Sequence, residues 1–124
     1  MVSKNLHEHI PSAGVTQQIF FAGDGVRLAG QIDYPDTTVD HRGYPLIFVI
    51  PHATCTSRSG YQHIARLGTE LGFAVFRWDK RGTGQSGSGS GTVEQDTINA
   101  YETATTQPGI DKNRVIIAAQ NEGS

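Results

Sequence analysis

Two hydrophobic periodicities alternate along this chain. Val26, Leu28, Ile32 and Tyr34 fall at even spacing, the period of a half-buried strand. The short apolar run Ile19 to Ala22 precedes them, and Gly23-Asp24-Gly25 between the two supplies a tight turn, so the segment predicts an antiparallel hairpin. Leu46-Ile47-Phe48-Val49-Ile50 differs in kind. Five consecutive apolar residues between Pro45 and Pro51 predict a strand covered on both faces, as in a parallel sheet. Phe73 to Phe76 and Val115 to Ala119 repeat that pattern.

Helical spacing fills the gaps between the three buried runs. Tyr61, Ile64, Leu67, Gly68 and Leu71 share one helical face, and Gly72 stands where a C-terminal cap belongs. Thr92 and Gln95 form a capping-box pair that opens a second helix, and Pro108-Gly109 closes it. That helix is rich in poor formers: Thr97, Thr103, Thr105 and Thr106. A hairpin followed by β-α-β-α-β with buried strands predicts an α/β fold, doubly wound, with a mostly parallel sheet. Residues 1–15 read as a polar lead-in, Asp36 to Gly43 as a polar loop, and Gly82 to Gly91 as a Gly/Ser-rich connection.

Composition narrows the function. The chain has 124 residues, an apolar fraction of 36% and a net charge of −2, with Lys and Arg scattered. Scattered charge argues against a nucleic-acid or anionic-membrane surface. No segment approaches the roughly 20 apolar residues of a membrane span. Met1 to Gly14 holds no apolar stretch of the secretory type, and Cys55 is the lone cysteine. A cytoplasmic protein without internal disulfide, cysteine-based zinc site or cofactor is the expectation.

Chemistry belongs at the C-terminal ends of the buried strands, where ligands bind in such sheets. Three loops leave that edge: Pro51 to Thr56, Asp79 to Ser86, and Ala119 to Gly123. In this order and at these separations they resemble the α/β-hydrolase superfamily of serine esterases, lipases and peptidases. Asp79 to Ser86 matches the D-x-R-G-x-G-x-S loop that a subset of the family carries after its fourth strand. The resemblance runs from about Phe20 to the last residue and implies that residues 16–124 form the N-terminal half of such a domain. Gly82-x-Gly84-x-x-Gly87 formally matches a dinucleotide fingerprint. It follows the wrong strand and opens no apolar helix, so a nucleotide site is rejected.

On this resemblance the third loop aligns with the nucleophile elbow G-x-S-x-G, a strained strand-to-helix turn. Ala119 stands for the first glycine, and Asn121, between Gln120 and Glu122, occupies the position of the serine. An amide cannot be activated by a histidine to attack a carbonyl carbon. Asn does tolerate the positive φ of an elbow. Ser124 lacks the flanking glycines of an elbow and is read as a polar residue opening a helix. The first loop resembles the oxyanion loop, which implies backbone N–H donors at Thr54 or Ala53, with Glu122 as the second donor. His52 is read as orienting its own loop, and Cys55 as a bystander thiol in the pocket loops. Asp79 and Arg81 are read as a structural pair holding the second loop.

The family's triad order is nucleophile, acid, histidine. All five histidines (7, 9, 41, 52 and 63) precede the elbow, and the last strand would present a bare, apolar edge. The expected partner is therefore the C-terminal half of the same fold as a separate chain, supplying acid and histidine around a small-molecule substrate. Three readings compete: half of an acyl hydrolase, inactive as it stands; a pseudohydrolase that binds a small molecule without turnover; and a variant rearranged at the elbow.

Overall fold

A computed structural model describes residues 14–51 and 61–119. The order of elements is β1 (Thr16–Ala22), β2 (Arg27–Asp33), β3 (Tyr44–Ile50), α1 (Gln62–Glu70), β4 (Ala74–Trp78), α2 (Val93–Thr105) and β5 (Ile110–Ala119). The five strands form one sheet in the order β1-β2-β4-β3-β5. β1 pairs antiparallel with β2, and β2 antiparallel with β4, while β3 lies parallel to both β4 and β5. Only β2 therefore runs against the others. The predicted hairpin and β-α-β-α-β unit are both present.

The two crossover helices cover opposite faces. On one face Leu46 and Phe48 of β3 join Ala74, Phe76 and Trp78 of β4 against Ala100 and Ala104 of α2. On the other, Val49 and Val75 meet Tyr61 and Ala65, with Ile47 and Ile64 packed beside them. Alternate residues of one run thus serve two cores, which is why β3 and the first residues of β4 are continuously apolar. Phe48 anchors the α2 side. Its ring stacks on Phe76 at 6.0 Å and meets the Tyr101 ring edge-on at 5.3 Å. The Trp78 indole N–H donates to the carbonyl of Val49 at 2.9 Å, leaving no unpaired polar atom on that buried ring.

α1 departs from the predicted amphipathic face. Its buried stripe is Tyr61, Ala65 and Gly68, whereas Leu67 and Leu71 are 59% and 75% exposed. Tyr61, Ile64 and Gly68 of the predicted face do make the contact, together with Ala65, but the two leucines do not. A Cβ on Gly68 would come within 2.6 Å of Val75 Cγ2 and 2.9 Å of Ile47 Cδ1, so the missing side chain sets how closely the helix approaches the sheet. Gly68→Val is expected to lift α1 and destabilise the fold by about 2 kcal/mol, in the range of overpacked cores. Urea titration checks it, and an unchanged midpoint would refute the close approach. The predicted cap at Gly72 does form. Its φ is +92°, and the amides of Gly72 and Phe73 donate to the carbonyls of Thr69 and Gly68, the paired bonds of a Schellman turn.

In α2, Thr92 accepts from the Gln95 amide at 3.2 Å, but the capping box is only half made. The Gln95 side chain donates instead to Asn99, and the Thr92 amide donates to the Asp24 carboxylate at 2.8 Å. The poorly helical threonines bond backward. Thr97, Thr103, Thr105 and Thr106 donate their hydroxyls to the carbonyls of Val93, Asn99, Tyr101 and Glu102. The buried stripe here, Asp96-Ala100-Ala104, is again one of small residues apart from a single carboxylate.

β4 begins at Ala74 rather than Phe73 and continues through Arg77, a cation inside the run. Arg77 is buried against Asp33 of β2 at 2.9 Å. β5 starts earlier than predicted because the Arg114 guanidinium ties its first residues down, donating to Asp111 at 2.7 Å and to the carbonyl of Gly43 at 2.8 Å. The Arg114 bond, then the Asn113 amide, holds the Asp111 carboxyl below its usual range. A lowered folded-state pKa adds stability above the ordinary carboxylate range that is lost as pH falls through the folded value. Asp111→Asn is therefore expected to lower the thermal midpoint at pH 7, with the gap to the unmodified protein closing as pH falls through the lowered folded-state pKa of Asp111. A constant gap across that range would contradict the assignment.

Candidate active-site edge

The C-terminal ends of β3, β4 and β5 meet at one edge of the sheet. β3 and β5 pair in parallel to their last residues, Ile50↔Ala119, so both strands leave the sheet side by side. β4 flanks β3 on its other side, with Leu46 to Phe48 registered on Ala74 to Phe76. The connection from β3 turns toward β4 on one face and that from β4 passes beyond β3 on the other, which makes this edge the switch point of a doubly wound sheet. His52, Ala53, Thr54, Cys55, Gln120, Asn121, Glu122 and Ser124 lie outside the described residues.

The middle loop is described completely, and each fixed position of its motif has a physical task. Asp79 is 2% exposed, and its carboxylate accepts the Gln85 amide at 2.9 Å. Gly84 sits over that carboxylate with φ +53°; a Cβ there would collide with the Asp79 oxygens, so only glycine fits. The Ser86 hydroxyl donates to the Asp79 carbonyl at 2.6 Å and accepts from the Ala29 amide at 2.9 Å. Asp79 and Gly87 in turn donate their amides to the carbonyls of Ala29 and Arg27, at 2.8 Å each. The loop is thus closed on itself and stitched to β2.

Arg81 holds the loop by a different partner from the one expected. In place of an Asp79–Arg81 pair, its guanidinium closes on Asp96 of α2 through two bonds, Nε at 2.6 Å and Nη2 at 2.9 Å. It also donates to the carbonyls of Gly89 and Asp24 at 2.9 and 2.8 Å. Asp96 is fully buried and takes the Asp24 amide at 2.6 Å as well. The bond to Asp96 raises the Arg81 pKa above its ordinary value. Three segments (the β1–β2 turn, the loop after β4 and the first turn of α2) therefore meet on one carboxylate. In the sequence Asp96 carries no assigned role and Asp24 reads only as a turn residue. A signal existed for the first, because a lone carboxylate in register with Ala100 and Ala104 on the buried side of a helix requires a cationic partner.

The arrangement supplies a rigid rim beside the ends of β3 and β5. Among the described residues no cluster of His, Cys, Asp and Glu has the makings of a metal site. No described helix is long and apolar enough to cross a membrane.

No protein-family model matches the chain, and no curated protein matches it. Solved structures do. A hypothetical protein of Pseudomonas aeruginosa superposes with a TM-score of 0.70 at 18% identity, over 87% of this chain and 36% of its own. An α/β hydrolase of Vibrio vulnificus gives 0.67 at 20% identity, over 94% and 39%. A lidless α/β serine hydrolase of Xanthomonas campestris gives 0.65 at 21%, over 89% and 51%. The chain thus has the α/β-hydrolase fold in part, spanning between about a third and a half of the length of these structures.

Proposed function

From the premise of a partial α/β-hydrolase fold, we propose that this chain forms the N-terminal half of a serine-hydrolase-type protein acting on acyl esters or amides. As it stands it is catalytically silent, because Asn121 occupies the nucleophile position. The observation that carries this reading is the parallel pairing of β3 and β5 to Ile50↔Ala119, beside the locked Asp79–Ser86 loop. Two strands ending side by side let one loop offer amide donors to an oxyanion while the other presents the attacking group. In this reading Ala53 or Thr54 and Glu122 supply those donors, and the pocket loops contribute His52, Cys55, Gln120 and Ser124.

The acid and the histidine come from a C-terminal half of the same fold. Such a half also accounts for surfaces that are costly to leave in water. Ile116 and Ile117 on opposite faces of the edge strand β5 are 52% and 56% exposed, and Leu67 and Leu71 stand out from α1. The test is to purify the chain with its physiological partners and measure its assembly and mass. Copurification of a polypeptide carrying the missing strands, acid and histidine is expected. A folded 13.4 kDa monomer with a cooperative melt would overturn the two-part reading.

A pseudohydrolase that binds a small molecule without turnover is the second reading, favoured by Asn121 itself. An amide suits hydrogen bonding to a bound ligand and cannot act as the nucleophile.

A further inference from the structure

The edge of the sheet opposite β5 carries a surface that the hydrolase reading leaves unused. β1, Thr-Gln-Gln-Ile-Phe-Phe-Ala, has seven residues in unbroken register with β2, and most of them are exposed. Edge strands are ordinarily protected by a charge, a proline, a bulge or an overlying element. β1 has no charged residue, no proline and no glycine, and its pairing with β2 shows no register shift. Phe20, 47% exposed, has the Arg27 guanidinium over its ring at 4.5 Å.

We propose that β1 pairs antiparallel with β1 of a second copy about a two-fold axis at Ile19, joining two sheets into one. The strand suits itself as a partner. Pairing about Ile19 sets Gln18 opposite Phe20 of the second copy, Gln17 opposite Phe21, and Thr16 opposite Ala22. No like charges meet. Each pair keeps to one face of the sheet. On the α2-side face, where Ile19 and Phe21 pack on the core, Ile19 meets Ile19 of the second copy and is flanked by the two Phe21–Gln17 pairs. On the other face the registers Ala22↔Arg27 and Thr16↔Asp33 put Arg27 of one copy and Asp33 of the other at the two ends of one cross-strand row, so no like charges share it. A foreign strand would have to reproduce this pattern, whereas a second copy carries it already.

A single seven-residue strand pair buries less than the roughly 1,200 Å² of a standard interface, so the dimer is weak. Its dissociation constant is expected between about 10 µM and 1 mM. Sedimentation of the full protein across that range should show the mass rising toward twice the monomer value. The double variant Gln18→Lys with Phe20→Lys sets Lys opposite Lys twice and should weaken the dimer by about tenfold. In a Cys55→Ser background, Ile19→Cys should cross-link to itself on mild oxidation, because facing Cα atoms lie about 4.5–5.5 Å apart. Gln17→Cys should do so only when mixed with Phe21→Cys. A constant monomer mass up to 1 mM, or equal self-linking at positions 17 and 19, overturns the proposal. The mass measurement needs no variant, so a misfolded mutant cannot obscure the answer.

Discussion

Asn121→Ser, introduced with the sheet completed by its C-terminal half, is expected to create hydrolysis of short p-nitrophenyl esters where none is measurable before. Loss of a triad nucleophile costs on the order of 10⁶ in kcat in a well-studied serine protease, leaving only oxyanion and binding effects. Placing a hydroxyl at residue 121 should recover several orders of magnitude of that factor, provided the downstream acid and histidine are in place. Covalent labelling by a fluorophosphonate at residue 121 should appear together with turnover. The two readings of the site part here. Labelling with turnover identifies an enzyme whose nucleophile was replaced. A folded variant that neither labels nor turns over identifies a pocket built around the amide, and the hydrolase proposal fails.

Asp96→Ala should be the most damaging single change among the described residues. The carboxylate is fully buried, and it takes two bonds from Arg81 and one from the Asp24 amide. Truncating one partner of a buried, hydrogen-bonded pair leaves the other uncompensated, at a cost of about 3–5 kcal/mol. Much of a small domain's net stability is of that size. Asp96→Asn keeps the volume and one acceptor and should cost less. The expected order in chemical denaturation is unmodified protein, then Asn, then Ala. The Ala variant should also free the Asp79–Ser86 loop, seen as faster amide exchange at Gln85 and Gly87. An Ala variant as stable as the Asn variant would mean that Arg81 finds another anchor and that Asp96 is not the hub.

What could be read from the residues alone followed from period and punctuation. Alternation in Val26 to Tyr34, the uninterrupted apolar run at Leu46 to Ile50 and the glycines at 25 and 72 each constrain the backbone locally. A two-residue period, double-sided burial or a positive φ leaves few other solutions. The three-loop order adds the fold by resemblance, and the solved structures carry that fold. Which side chains touch which was not legible. Tyr61, Ile64 and Gly68 of the predicted face of α1 do meet the sheet, yet Leu67 and Leu71 point away and Ala65 takes their place, because the closest approach is at Gly68, where a side chain is missing. Arg81 and Asp79 are neighbours in sequence, but the fold brings Asp96 within 2.6 Å of the guanidinium from 15 positions away. Local spacing determines an element's period and its ends. The choice of partner for a buried charge belongs to tertiary structure, because it depends on which segments the sheet order sets side by side.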